Sequence, residues 1–109
     1  MTHKEIAAMV KSMGLPYAYY QFPEGTAQKL PFICFFYTYT DDVFADNTNY
    51  QRIETLNIEL YTKNKDFDLE ATVEAVLANH NLTYSKEDSY IDGEKMWQIA
   101  YEMEVLING

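Results

Sequence analysis

Trp97-Gln-Ile-Ala-Tyr-Glu-Met-Glu-Val105 is the stretch that decides the fold. Trp97, Ile99, Tyr101, Met103 and Val105 share one parity, and Gln98, Ala100, Glu102 and Glu104 share the other. Strict alternation over this length marks an antiparallel strand with one buried face. The other face carries carboxylates and no base. A small sheet turning an acidic side outward suits a scaffold or assembly part better than an enzyme.

Working backward along the chain, the same reasoning finds more strands. Arg52 to Thr62 places Leu56, Ile58 and Leu60 against Thr55, Asn57, Glu59 and Tyr61. Leu30 to Thr40 is apolar in both parities: Phe32, Cys34 and Phe36 on one, Ile33, Phe35, Tyr37 and Tyr39 on the other. Such a strand is covered on both sides or lies at a subunit contact. Tyr17 to Phe22 reads as a short strand, and Leu82 to Tyr84 opens one running toward Ile91. Asp92-Gly93 is a two-residue turn signal before the final strand. Pro23 to Lys29 and the Asp- and Asn-rich Asp41 to Asn49 read as loops.

Two segments have helical spacing. In Thr2 to Met13, Ile6, Met9, Val10 and Met13 form a stripe, Thr2 is the expected N-cap, and Gly14 and Pro16 end the helix. In Asp66 to His80, Leu69, Val73, Val76 and Leu77 form the stripe, and Asp66 is the expected N-cap. Asp68 and Glu70 sit in the first turn, where the helix dipole favours negative charge, and Asn79-His-Asn81 closes the helix. The order helix, strands, helix, strands gives an α+β class: a largely antiparallel sheet with two helices packed on one face. Its 109 residues fit a single domain, 1–109, with no repeat or linker.

Composition narrows function. The net charge of -9 argues against a gripped nucleic acid, because binding phosphates needs clustered Lys and Arg. It leaves room for a surface that nucleic acid passes without sticking, since repulsion of phosphate is useful in a conduit. Ten tyrosines exceed what a core needs, so some rings are expected at contacts between chains. The single cysteine, Cys34, lies in an apolar run and reads as a buried thiol. No signal peptide or membrane span is visible, so folding in a reducing cytoplasm is expected.

No motif for catalysis emerges. His3 and His80 have no nucleophile beside them in sequence, and there is no phosphate loop, His-x-x-x-His pair or Gly-x-Ser-x-Gly elbow. Asp41, Asp42, Asp46 and Asn47 offer oxygen atoms without the spacing of a calcium loop. The expectation is a non-enzyme without cofactor or metal. The sharpest candidate surface is acidic: Glu54, Glu59, Glu102 and Glu104 all lie in strands, the last three opposite the apolar sets. Like charges directly opposed weaken a sheet, so a purely structural face would mix in lysines. The candidate contact aromatics are Phe35, Tyr37, Tyr39, Phe44 and Tyr50.

Several stretches carry a resemblance. They are Gly14-Leu-Pro-Tyr-Ala-Tyr-Tyr-Gln-Phe-Pro-Glu-Gly25, Leu30-Pro-Phe-Ile33, Ala45-Asp-Asn47 with Tyr50, Leu56-Asn-Ile-Glu-Leu-Tyr-Thr62, Lys65-Asp-Phe67 with Glu70, and Tyr101-Glu-Met-Glu-Val105. Together they resemble small proteins of tailed phages and prophages of Gram-positive bacteria. In size and helix-strand order that group is similar to tail-terminator and tail-completion proteins encoded among head-tail joining genes. The resemblance implies a structural part of the virion, at the head-tail junction, assembled in the host cytoplasm. It implies a hexameric ring that caps the tail tube, contacts the major tail protein and a head-closure protein, and passes DNA as cargo. The competing readings are another head-tail connector or minor capsid protein, an acidic DNA mimic, and a small hydrolase.

Overall fold

A computed structural model describes residues 1–22, 28–44 and 50–108; for residues 39–44, 50 and 51 the backbone alone is described. The order is α1 (His3–Lys11), β1 (Tyr17–Tyr19), β2 (Phe32–Phe44), β3 (Tyr50–Thr62), α2 (Phe67–Asn79), β4 (Ser85–Ile91) and β5 (Met96–Asn108). The strands form one five-stranded sheet in the order β1-β2-β3-β5-β4. Every pairing is antiparallel except β1 with β2, which is parallel. The α+β class with a largely antiparallel sheet therefore holds.

Both helices start where the sequence places their caps. Thr2 and Glu5 form a capping box: the Thr2 hydroxyl accepts from the Glu5 N–H at 3.0 Å, and the Glu5 carboxylate accepts from the Thr2 N–H at 2.9 Å. Asp66 accepts from the Leu69 N–H at 3.0 Å and caps α2. Gly14, at φ +84°, ends the first helical segment in a conformation that other residues adopt with difficulty. Asn81, at φ 57°, does the same for α2, where the Leu82 N–H reaches back to the Leu77 carbonyl at 3.1 Å.

The helical stripes close on one side of the sheet. Ile6, Met9 and Val10 of α1 and Val73 and Leu77 of α2 join the core with Ile33, Phe35, Leu56, Ile58, Leu60, Ile99, Tyr101, Met103 and Val105. The alternation of β5 continues to Ile107, which is also buried. Both helices thus cover one face, as the strand parities require.

Several boundaries differ from the sequence reading. β1 ends at Tyr19 instead of running to Phe22, where Tyr20 turns at φ 69°, and β4 begins at Ser85, so Leu82 to Tyr84 lie before it, just after the end of α2. β2 runs to Phe44 and β3 begins at Tyr50, so Asp41 and Asp42 lie in a strand, in register with Ile53 and Arg52, rather than in a loop. Pairing across the hairpin overrides their weak strand propensity. Asp46 and Asn47 lie outside the described residues. The Asp92-Gly93 hairpin forms, but its loop takes four residues between the Ile91 and Met96 pair, with Lys95 at φ 52°. The register of β2 shifts between Tyr37 and Tyr39. The extra residue puts position 39 in register with Thr55, next to the Leu56 that pairs with Tyr37, so the alternation that parity implies from Tyr37 to Tyr39 is broken there.

The sheet outruns its helices. A strand of 13 residues spans about 43 Å, whereas α2, with the same number, spans about 20 Å. The molecule measures 50 × 30 × 22 Å, and its radius of gyration is 15.0 Å; a compact chain of this size has about 13 Å. The far part of the β2–β3 hairpin extends the long axis.

Candidate functional site

The face of the sheet without helices carries the candidate residues. Its central row runs Ala18, Cys34, Glu59, Ala100, Glu87 from β1 to β4. The next row is Phe36, Asn57, Glu102, Ser85, and beyond it Thr55 stands beside Glu104. Glu59, Glu102 and Glu104 are therefore brought together on one face, joined by Glu87, which sequence reading passed over. The shared parity of Ser85, Glu87, Ser89 and Ile91 was the available signal.

No two of these carboxylates stand directly opposite each other. Glu59 faces Cys34 and Ala100, Glu102 faces Asn57 and Ser85, and Glu104 faces Thr55. The spacing keeps the negative field while avoiding the strongest cross-strand repulsion. Glu87, Glu102 and Glu104 are exposed. Glu59 is half-buried, and its oxygens accept from the Tyr61 hydroxyl at 2.8 Å and the Gln98 amide at 2.9 Å. Burial, followed by that bond to Glu59, raises the Tyr61 pKa, so the phenol stays a donor.

Glu54 does not join them. It points to the helix side, is 6% exposed, and its carboxylate meets His3 Nε2 at 2.5 Å. His3 also meets the Tyr37 ring edge-on, with centroids 4.9 Å apart. Burial, then the Glu54 charge, pushes the Tyr37 phenol up to about 12, and its buried hydroxyl has no hydrogen-bond partner among the described residues. Next to this cluster the Met1 ammonium donates to the Leu106 carbonyl at 2.8 Å, and the Asn108 N–H donates to the Met1 carbonyl at 2.9 Å. His3 and Glu54 thus act as a clasp holding the start of the chain on β3 and β5. His80 sits at the end of α2, its Nδ1 2.9 Å from the Val76 carbonyl.

The contact aromatics divide. Phe35 is 5% exposed and packs in the core against Tyr17 and Tyr19, so it offers no free surface. Tyr37 is half-buried. Tyr39, Phe44 and Tyr50 belong to the extended β2–β3 hairpin, where Phe44 and Tyr50 are paired. Cys34 is buried as expected, but on the side away from the helices, near Phe22, Phe32 and Tyr61. Burial, then Glu59, raises its pKa, which keeps it a thiol.

Sequence reading also missed an ionic network under β4. Glu70, only 2% exposed, accepts from Lys65 and Lys86, each at 2.7 Å. Lys65 also meets Asp88, and Lys86 meets Glu74. The Tyr101 hydroxyl donates to Glu74 at 2.7 Å. For both lysines burial works against the charge, but the surrounding carboxylates outweigh it and raise the pKa. Glu74 balances the opposite way: burial is outweighed by Lys86 and Tyr101, and its pKa falls. The pattern needed to see this, one glutamate on a helix answering two lysines in different segments, exists only in three dimensions.

Among the described residues no group of three or more His, Cys, Asp or Glu is placed to hold a metal ion. No described helix is long and apolar enough to cross a membrane.

No family model and no curated protein matches the chain. Among solved structures, its fold is similar to a chain of the virion of a native gene transfer agent particle. The TM-score is 0.57 at 14% identity, and the match covers 94% of this chain and 86% of that one. The likeness of fold extends over nearly the whole length of the chain.

Proposed function

We propose that this chain is a non-enzymatic structural protein of a phage-like virion, and that it serves as a tail terminator. In this reading six copies form a ring on the end of the tail tube, between the major tail protein and a head-closure protein, and DNA passes through the bore. The observation that carries the reading is the near full-length likeness of the fold to a chain of a gene transfer agent virion. The uncovered face adds to it. Glu59, Glu87, Glu102 and Glu104 share that face, and a negative wall lets phosphate pass without binding it.

The dimensions are compatible with such a bore. Five strands at about 4.8 Å give a sheet roughly 24 Å wide. Six such sheets edge to edge enclose a backbone circle roughly 45 Å across. Glu54, turned to the helix side, has no place in that wall. Tyr39, Phe44 and Tyr50, along the hairpin that outruns the helices, are proposed as contacts with neighbouring subunits, with the half-buried Tyr37, beside His3 of α1, at the base of that surface.

Deletion of the coding sequence from a phage that carries it tests the role. Loss of termination gives tails of uncontrolled length and unjoined heads. Tails of normal length that fail to attach would move the protein to a head-completion step. Normal, infectious particles would overturn the virion role altogether.

A further inference from the structure

We propose that neighbouring copies join head to tail through the two edges of the sheet, the β1 edge of one against the β4 edge of the next. The proposal rests on the ring reading above and gives that ring its joint. The large exposed aromatic side chains lie at the two edges of the sheet. Tyr17, Tyr19 and Tyr20 are 37%, 54% and 64% exposed at the β1 edge. Tyr90 is 46% exposed on β4, and Phe67, behind it at the start of α2, is 72% exposed. Exposed aromatics are the side chains most enriched at the centres of protein contacts. Here they flank opposite sides of one sheet.

The registers place the two edges at the same height. One row runs Tyr17, Ile33, Leu60, Ile99, Asp88, and the next but one runs Tyr19, Phe35, Ile58, Tyr101, Lys86. An edge-to-edge contact therefore needs no large slide along the strands. β1 runs parallel to β2, and three antiparallel steps then leave β4 running opposite to both. β4 of one copy thus meets β1 of the next antiparallel, with straight cross-strand hydrogen bonds. Among the described residues no further strand pairs with either outer edge.

Charge selects this pairing over the symmetric one. β4 carries Lys86, Glu87 and Asp88 in succession. Two β4 edges paired antiparallel about Glu87 set the two Glu87 carboxylates directly opposite each other, which weakens strand pairing. β1 is Tyr-Ala-Tyr, with no charge. Its phenols can donate to a carboxylate, and its rings can take an ammonium group. Lys86 already approaches a tyrosine ring within its own chain, 5.8 Å from the Tyr101 centroid. The charged edge finds its complement in the neutral aromatic edge. A joint between two unlike surfaces closes into a ring when the rotation fits. The same joint aligns the row from Ala18 to Glu87 from copy to copy, so the acidic strands β3, β5 and β4 of each copy recur around the wall, separated by the apolar β1–β2 part of the next copy, with the helices on the other side.

The test is thiol cross-linking of the full-length chain. In a Cys34→Ser background, Ala18→Cys and Glu87→Cys are introduced together, and a short bis-maleimide is added at high protein concentration and on tail tubes. A ladder of covalent multimers ending at one size, absent from either single-cysteine variant, is expected. Covalent dimers from Glu87→Cys alone would overturn the head-to-tail joint. So would native mass spectrometry that finds the ring while no ladder forms, and that result leaves the terminator reading standing. Monomer throughout, including on tail tubes, would overturn the ring itself. A second readout needs no cross-link. Tyr17→Glu, placed at the height of the neighbour's Asp88, is expected to weaken association about tenfold, while Tyr17→Lys keeps it. Equal loss from both, in variants with unchanged circular dichroism, would overturn the proposed pairing.

Discussion

Glu54 and Glu59 lie on the same strand an odd number of residues apart, and they face opposite layers of the molecule. Glu54 is buried under the start of α1 against His3, while Glu59 stands on the uncovered face among Tyr61 and Gln98. Two glutamates alike in sequence therefore have different work. Lysine at Glu54, and separately at Glu102 and Glu104, which share the face of Glu59, separates the two roles. Glu102→Lys with Glu104→Lys, both exposed, should change stability by no more than about 0.5 kcal/mol. Glu54→Lys buries a charge beside His3 and should cost about 3 kcal/mol or more. Urea denaturation measures both.

The lysine pair on the uncovered face also tests the bore. Purified Glu102→Lys/Glu104→Lys protein should gain a DNA affinity that falls steeply with added salt, because lysine neutralises phosphate and releases counterions. A phage carrying the pair should deliver its DNA poorly while assembling normal tails. Filter binding across a salt series, alongside infectivity counts, checks the two halves.

The Tyr101 hydroxyl ties the centre of the sheet to α2 through Glu74. Tyr101→Phe keeps the ring in the core and removes only that bond to a charged group. The expected loss is about 1.5–3 kcal/mol, read as a lower urea midpoint with an unchanged slope.

Glu70 is the buried member of the ionic network, and its two lysines are partly exposed, at 21% and 32%. Glu70→Ala removes the shared anion, and the lysines can turn to water. The expected cost is about 3 kcal/mol, at the low end for breaking a buried pair. Hydrogen exchange should show α2 and β4 loosening before the β2–β3 pair.

Stability should fall below about pH 4.5, and above about pH 9, where the Cys34 thiol, raised from its usual 9.0 by burial and then by Glu59, begins to lose its contribution. Glu74 is held below its usual 4.5, so its contribution is complete above that value and lost as pH falls through the lower folded value. Tyr37, at about 12, and Tyr101, raised chiefly by burial and then by Glu74, lie above their usual 10.0. Their contributions are complete below pH 10 and lost as pH rises, when phenols that the fold keeps neutral must ionise. Thermal unfolding across pH, compared with the Tyr101→Phe variant on the alkaline side, measures this directly.

Much of this architecture was legible in the chain. The alternation of β5 and the stripes of α1 and α2 are local patterns, so which face of each element is buried follows from residue type and spacing. Thr2 and Asp66 cap their helices because capping is satisfied within one turn. The site was half legible. Glu59, Glu102 and Glu104 could be assigned to one face from parity, but Glu87 became their neighbour only when β4 paired with β5.

Phe35 and the β1 edge mark where local reading stops. An apolar strand gives no local sign of which side will be covered; α1 settled that by packing on the side of Phe35, while β1 took the sheet edge and left Tyr19 exposed. The sequence alone determined element type, caps and the sign of charge on each strand face, because these depend on neighbours a few residues away. The tertiary structure decided the strand order, the shared height of β1 and β4, the burial of Glu54 and the answer of Lys65 and Lys86 to Glu70. Those depend on contacts between residues far apart in the chain, which no local spacing encodes.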